Sequence, residues 1–266
     1  MIGRYGVAFL GILGREWLHF VRQRARFFAA LVRPLLWLVI FAAGFRTVLE
    51  LPPMPPYETY ITYEQYIAPG LIGMILLFSG MQAALSMVYD RETGSMKVLL
   101  TSPLPRSFLL VARLIATTLV SLAQVYAFLA IAWFWEVRPP PIGMLTAFPA
   151  LFLSGMMLSA FGLLLSSLIK QLENFAGVMN FVIFPMFFAS SALYPLWRLK
   201  EVSPVLHGIA AINPFTHAVE LIRFALYGRL DVTALGWVVT SLAVCLALAL
   251  YRYEPSRSLR PRRFAP

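Results

Sequence analysis

Cysteine is nearly absent from this sequence: Cys245 stands alone in 266 residues, so neither an intrachain disulfide nor a cysteine-based metal cluster can form. Lysine is almost as scarce. The three lysines, Lys97, Lys170 and Lys200, follow Met96, Ile169 and Leu199, which excludes a G-x-x-x-x-G-K phosphate loop and ATP hydrolysis by that route. The three histidines, His19, His207 and His217, lack H-E-x-x-H spacing, and no G-x-S-x-G elbow occurs, so an enzyme has little support. Charge is thin as well, at 13% of residues against about a quarter in soluble domains. All twelve acids lie in loops or near the ends of apolar runs, which disfavours a proton-coupled carrier. No internal repeat is visible, and many secondary carriers are built of inverted repeats.

Apolar residues fill the space left by these absences. They make up 60% of the chain, at a mean hydropathy of +0.76, and they define an integral membrane protein. A spanning helix needs ~20 apolar residues. Runs at 27–49, 67–88, 108–135, 144–168, 175–197 and 234–250 therefore predict an all-α fold of six transmembrane helices over 27–251. The first run is the shortest free of charge: Arg33 and Arg46 bracket residues 34–45, roughly 18 Å of helix against a ~30 Å hydrocarbon core. Snorkelling would carry Arg33 down to the cytoplasmic headgroups and Arg46 up to the outer ones. On the fourth run Gly155 with Ser159, and Gly162 with Ser166, put small residues at i, i+4, a pattern for close helix packing within the chain. The exposed-looking aromatics, such as Phe181, Phe184, Phe187 and Phe188, read first as lipid contacts and second as a pathway lining.

The net charge of +10 is explained by topology rather than by nucleic acid. With six spans both termini share one side, and that side collects Arg4, Arg15, Arg22, Arg24, Arg26, Arg33, Arg91, Lys97, Arg106, Arg113, Lys170, Arg252, Arg257, Arg260, Arg262 and Arg263. Those 16 of 22 basic residues meet five acids, whereas the other side pairs six basic residues with seven acids. The positive-inside rule then makes the first side, including the basic tail 252–266, cytoplasmic. Apolar residues 7–13 precede the cluster Arg15, Arg22, Arg24 and Arg26, the reverse of a cleavable signal peptide. Leu10, Leu13, Trp17 and Val21 recur at near-helical spacing, so residues 1–26 are expected to form an amphipathic helix in the cytoplasmic membrane interface.

Two connections carry helical patterns of their own. Between the second and third runs, Asp90, Arg91 and Glu92 lead into Gly94, then Met96, Leu99 and Leu100 share one face, and Thr101 and Pro103 follow. A cytoplasmic helix of this kind at the membrane surface suggests a docking part. On the outer side, Asn213 is a fair N-cap with Pro214 at the first helical position, and Gly228 is a plausible stop. Phe215, Val219, Ile222 and Leu226 share a face, Glu220 and Arg223 can pair at i, i+3, and the helix is too short in uncharged residues to cross.

These pieces resemble the membrane subunit of ABC-2 type exporters, in the drug and lipo-oligosaccharide branch. The resemblance is carried by Tyr66-Ile67-Ala68-Pro69-Gly70-Leu71, by Asp90-Arg91-Glu92-Thr93-Gly94 with Leu99-Leu100-Thr101-Ser102-Pro103, and by Ser190-Ser191-Ala192-Leu193-Tyr194-Pro195 followed by Asn213-Pro214-Phe215-Thr216 and Arg223. It implies a homodimeric permease in a bacterial cytoplasmic (inner) membrane, surrounded by lipid and paired with separate ATP-binding subunits that hold ATP and Mg; this chain would bind no cofactor. It further implies a coupling-helix role for Asp90, Arg91, Glu92, Gly94, Met96, Leu99, Leu100, Thr101 and Pro103. An outer re-entrant hairpin that caps the exit would be built around Asn213, Pro214, Thr216, Glu220 and Arg223. Competing readings are a secondary carrier, which would want intramembrane acids, and a membrane anchor of a multisubunit complex, which would want intramembrane histidine ligands.

Overall fold

In the computed structural model, residues 2–252 are described apart from 23, 46–51, 53, 95–103, 136 and 170. Among the described residues the regular elements are helices: α1 (Ile2–Arg22), α2 (Arg24–Phe45), α3 (Tyr63–Glu92), α4 (Arg106–Ala132), α5 (Pro141–Thr146), α6 (Phe148–Leu168), α7 (Leu172–Phe188), α8 (Leu196–Val202), α9 (Pro204–Ile212), α10 (Pro214–Leu226) and α11 (Val232–Arg252). Helices suit a membrane because each satisfies its own backbone hydrogen bonds.

The 30-residue helix α3 is the axis of the bundle, packed against α2, α4, α6, α7 and α10. Its partner α6 approaches so closely that a Cβ added at Gly162 would lie 2.9 Å from the Gly80 carbonyl oxygen. A Cβ at Gly80 would lie 2.8 Å from the Cα of Ser159. The small residues on the fourth run thus serve packing within the chain, because a lipid solvent gives helices no hydrophobic reason to associate and close contact must do it. Outside the bundle α1 lies along α4, with Tyr5 edge-on to Phe108 at 4.9 Å. Leu10, Trp17, Leu18 and Val21 are exposed and Leu13 is half-buried.

Four helical stretches are long and apolar enough to cross a membrane: Tyr63–Glu92, Arg106–Trp135, Pro141–Leu168 and Val232–Arg252. A fifth crossing exists if α9 and α10, bent by 74° at Asn213, count as one broken span. The first and fifth of the six expected spans are shorter. The apolar part of α2 is Ala30–Phe41, interrupted by Arg33 and Pro34. The fifth run does not continue to 197 as one helix: α7 stops at Phe188 after 17 residues, about 25 Å, because the chain turns at Ser190–Leu193 into the core. Arg33 packs against the neighbouring helix. Its guanidinium lies over the ring of Phe78, 4.0 Å from the centroid, halfway along α3. Arg46 and residues 253–266 of the basic tail lie outside the described residues.

Candidate functional site

The two ends of α3 hold two separate polar assemblies, and nearly every motif singled out in the sequence falls in one of them. At the first end Tyr63, Tyr66, Gly70 and Gly73 form one stripe of the helix. The Tyr63 hydroxyl donates to the Leu193 carbonyl at 3.0 Å and the Tyr66 hydroxyl to the Ser191 carbonyl at 2.9 Å. Gly70 lets the turn approach: a Cβ there would sit 2.7 Å from both the Cβ and the carbonyl oxygen of Ala192. Gly73 similarly faces Val219 and Phe215 of α10.

Asn213 and Arg223 close this end. Asn213 Oδ1 accepts from the Phe215 amide at 3.0 Å, the N-cap bond expected from the sequence. Its Nδ2 donates to the Met186 and Ala189 carbonyls at 2.8 and 2.7 Å, serving orphan acceptors at the C-terminus of α7. Pro214 holds the first position of α10, and Thr216 Oγ1 accepts from the Ser191 amide at 3.4 Å. Arg223 is fully buried, with its guanidinium 4.1 Å from the centroid of the Tyr66 ring. Nη1 donates to Glu220 Oε1, and Nη2 donates to the Ser191 carbonyl at 3.0 Å. The i, i+3 pair foreseen from spacing therefore forms, inside a larger knot of Tyr66, Ser191 and Thr216. In the adjoining loop burial pushes the Tyr57 phenol far above its ordinary value, and its hydroxyl donates to the Gln65 carbonyl at 3.4 Å.

At the other end the residues expected to lead into a docking helix are bonded within the chain. Asp90 Oδ2 accepts from Arg113 Nη1 at 2.8 Å, and Arg113 Nη2 donates to Ser86 Oγ at 2.9 Å. Glu16 of α1 lies 3.7 Å from Arg113 Nε. Arg91 Nη2 donates to the Ser166 carbonyl of α6 at 2.7 Å, and Glu92 Oε1 accepts the Leu172 amide at the start of α7 at 2.9 Å. Gly94, at φ +74, uses the left-handed conformation that ends a helix. Met96, Leu99, Leu100, Thr101 and Pro103 lie outside the described residues. A groove of about 430 Å³ opens beside this cluster, between α1, α3 and α4, lined among others by Gln82, Ser86, Thr117 and Ser121. At its inner limit Ser79 Oγ donates to Gln124 Oε1 at 2.7 Å.

The partnership of Glu16, Asp90 and Arg113, and the Ser79–Gln124 bond, were not found from the sequence. An arginine and a glutamine inside the third apolar run were the available signals. No group of His, Cys, Asp and Glu among the described residues is arranged to hold a metal. The chemistry of both ends is that of mechanical fastening, with charge-assisted bonds joining helices far apart in sequence.

Comparison with known proteins agrees with a transport role. A putative transport permease, ycf38, from Porphyra purpurea is 28% identical over 249 residues, covering 90% of this chain and 82% of that protein. The ycf38 protein of Cyanophora paradoxa is 27% identical over 215 residues, 80% of this chain and 72% of the relative. A probable multidrug ABC transporter permease of Escherichia coli K12, YbhR, is 31% identical over 171 residues, which span 63% of this chain and 45% of YbhR. Since residues 7–227 match the family described as ABC-2 type transporter, and the match takes in both assemblies on α3, this chain belongs to that membrane family of ABC transporters.

Proposed function

We propose that this chain is the permease subunit of an ATP-driven exporter, moving an amphipathic or lipid-like substrate outward with energy from a separate ATP-binding subunit. The reading takes two copies of the chain with two such subunits, ATP and Mg being held by the partner. The observation that carries it is the fastening of α3 at Asp90, Arg91 and Glu92. A partner that moved residues 95–103 would pull directly on a helix whose end is tied to α4, α6 and α7. About 36 Å along the same helix, Tyr66 meets the turn at Ser191 and the guanidinium of Arg223, so a tilt of α3 works against the α10 element. ATP binding outside the membrane would thereby bias a two-state element inside it.

The test is co-purification of an ATP-binding protein with a phosphate loop, encoded beside this chain, followed by substitution in the docking segment. Leu99→Asp should uncouple ATP hydrolysis from export while the chain still inserts. Unchanged export by that variant, or the absence of any such ATPase partner, would remove the basis of the reading.

A further inference from the structure

We propose that Arg33 is a substrate-binding residue, and that the molecule it receives is an anionic amphiphile whose headgroup crosses the membrane core. The proposal rests on the exporter reading above and adds the charge of the cargo. Arg33 lies on an exposed face of α2, beside an open space of about 390 Å³ lined by Val32, Leu36, Trp37 and Ile40 of the same helix. Among the described residues no carboxylate faces it and it makes no hydrogen bond. The Phe78 ring at 4.0 Å covers one face of the guanidinium and leaves its N–H donors without acceptors.

Depth selects the ligand. Phe78 is near the midpoint of the 30-residue α3, roughly 22 Å from either end of that helix. Resident lipids keep their headgroups about 15 Å from the bilayer centre, so their phosphates do not reach this space. A guanidinium held at that depth with nothing to accept from it is expensive in hydrocarbon, and intramembrane arginines as a rule serve a pathway. Only a molecule in passage brings a phosphate or carboxylate to this level. Such a group suits the planar donor fork, which binds oxyanions with two parallel bonds.

The rest of the space suits an apolar chain. Trp37 stacks on Phe41 at 5.2 Å and meets Phe188 of α7 edge-on at 6.1 Å. Phe188 in turn stacks with Phe184 at 6.2 Å, and both phenylalanines are exposed. An aromatic strip thus leaves the single cation and runs along α2 and α7 toward the Arg223 end. Head and tail of an amphiphile would be received side by side.

The full chain in phosphatidylcholine nanodiscs is titrated with radiolabelled dodecyl phosphate, with uncharged dodecyl maltoside as competitor. We expect saturable binding that dodecyl maltoside displaces poorly. R33Q should weaken it about tenfold, the loss of one charge-assisted bond, and R33K, which keeps the charge but not the fork, should fall between R33Q and the unaltered chain. Nanodiscs containing phosphatidylglycerol should bind the probe equally well. The proposal is overturned by equal affinity of R33Q and the unaltered chain, by R33K as weak as R33Q, or by no saturable binding, the result expected if a second copy of the chain fills the space. Competition by phosphatidylglycerol, which would mark a resident-lipid site, overturns it too. No ATP-binding subunit takes part, so binding through Arg33 in a chain that never couples to an ATPase would sink the exporter reading and leave this one standing.

Discussion

Arg223 and Arg229 are six residues apart and both pair with a glutamate, yet their surroundings give them different weights. Arg229 donates to Glu58 at 2.7 Å in an exposed pair, and exposed pairs contribute at most about 1 kcal/mol. Arg223 is buried between the Tyr66 ring, Glu220 and the Ser191 carbonyl, so removing it leaves a mostly buried carboxylate and that carbonyl without their partner. Breaking a buried pair in this one-sided way costs about 3–5 kcal/mol. We therefore expect Arg223→Met to lower the thermal unfolding temperature in detergent sharply and Arg229→Met to leave it almost unchanged. Equal shifts would mean that the Tyr66 stripe is held by its phenol–carbonyl bonds alone.

At the scale of helices, the contact between α3 and α6 depends on what is missing from it. The Gly162 backbone faces the Gly80 carbonyl with no space for a side chain, and Ser159 faces Gly80 from the same helix. Gly162→Val would force α6 away from α3. Overpacking of this kind costs about 1–3 kcal/mol, to be read as a loss of folded protein in size-exclusion chromatography after mild heating. Gly177→Val is the control, since a Cβ there meets nothing within 4 Å. The small-residue spacing on α6 was legible in the sequence because it follows the helical period, and so were the Asn213-Pro214 start and the Glu220–Arg223 pair of α10. What could not be read was the partner of each face. Tyr66 and Ser191 are 125 residues apart, and no local period links a stripe on one helix to a turn after another. The packing of Arg33 was hidden for a related reason: nothing local to α2 shows that its guanidinium lies over Phe78 of another helix.

For the whole molecule, α3 sets a direction. Asp90 and Tyr63 stand at opposite ends of it, and the basic residues favour the Asp90 end as cytoplasmic. In a Cys245→Ser background, a cysteine at Thr93 should react with an impermeant maleimide only from the cytoplasmic face, and one at Tyr60 only from the opposite face; both positions are exposed. Labelling of both from one side would mean that α3 does not cross the bilayer and that the charge asymmetry has another origin.

Asn213 joins two helices through one side chain, capping the start of α10 and the last carbonyls of α7. Neither terminus can fray without releasing the amide that the other also uses. The two helices should therefore open as one cooperative unit, and their amide protons should exchange with deuterium at matched rates. Asn213→Ala would split that unit, so that exchange at the end of α7 and at the beginning of α10 would no longer rise and fall together.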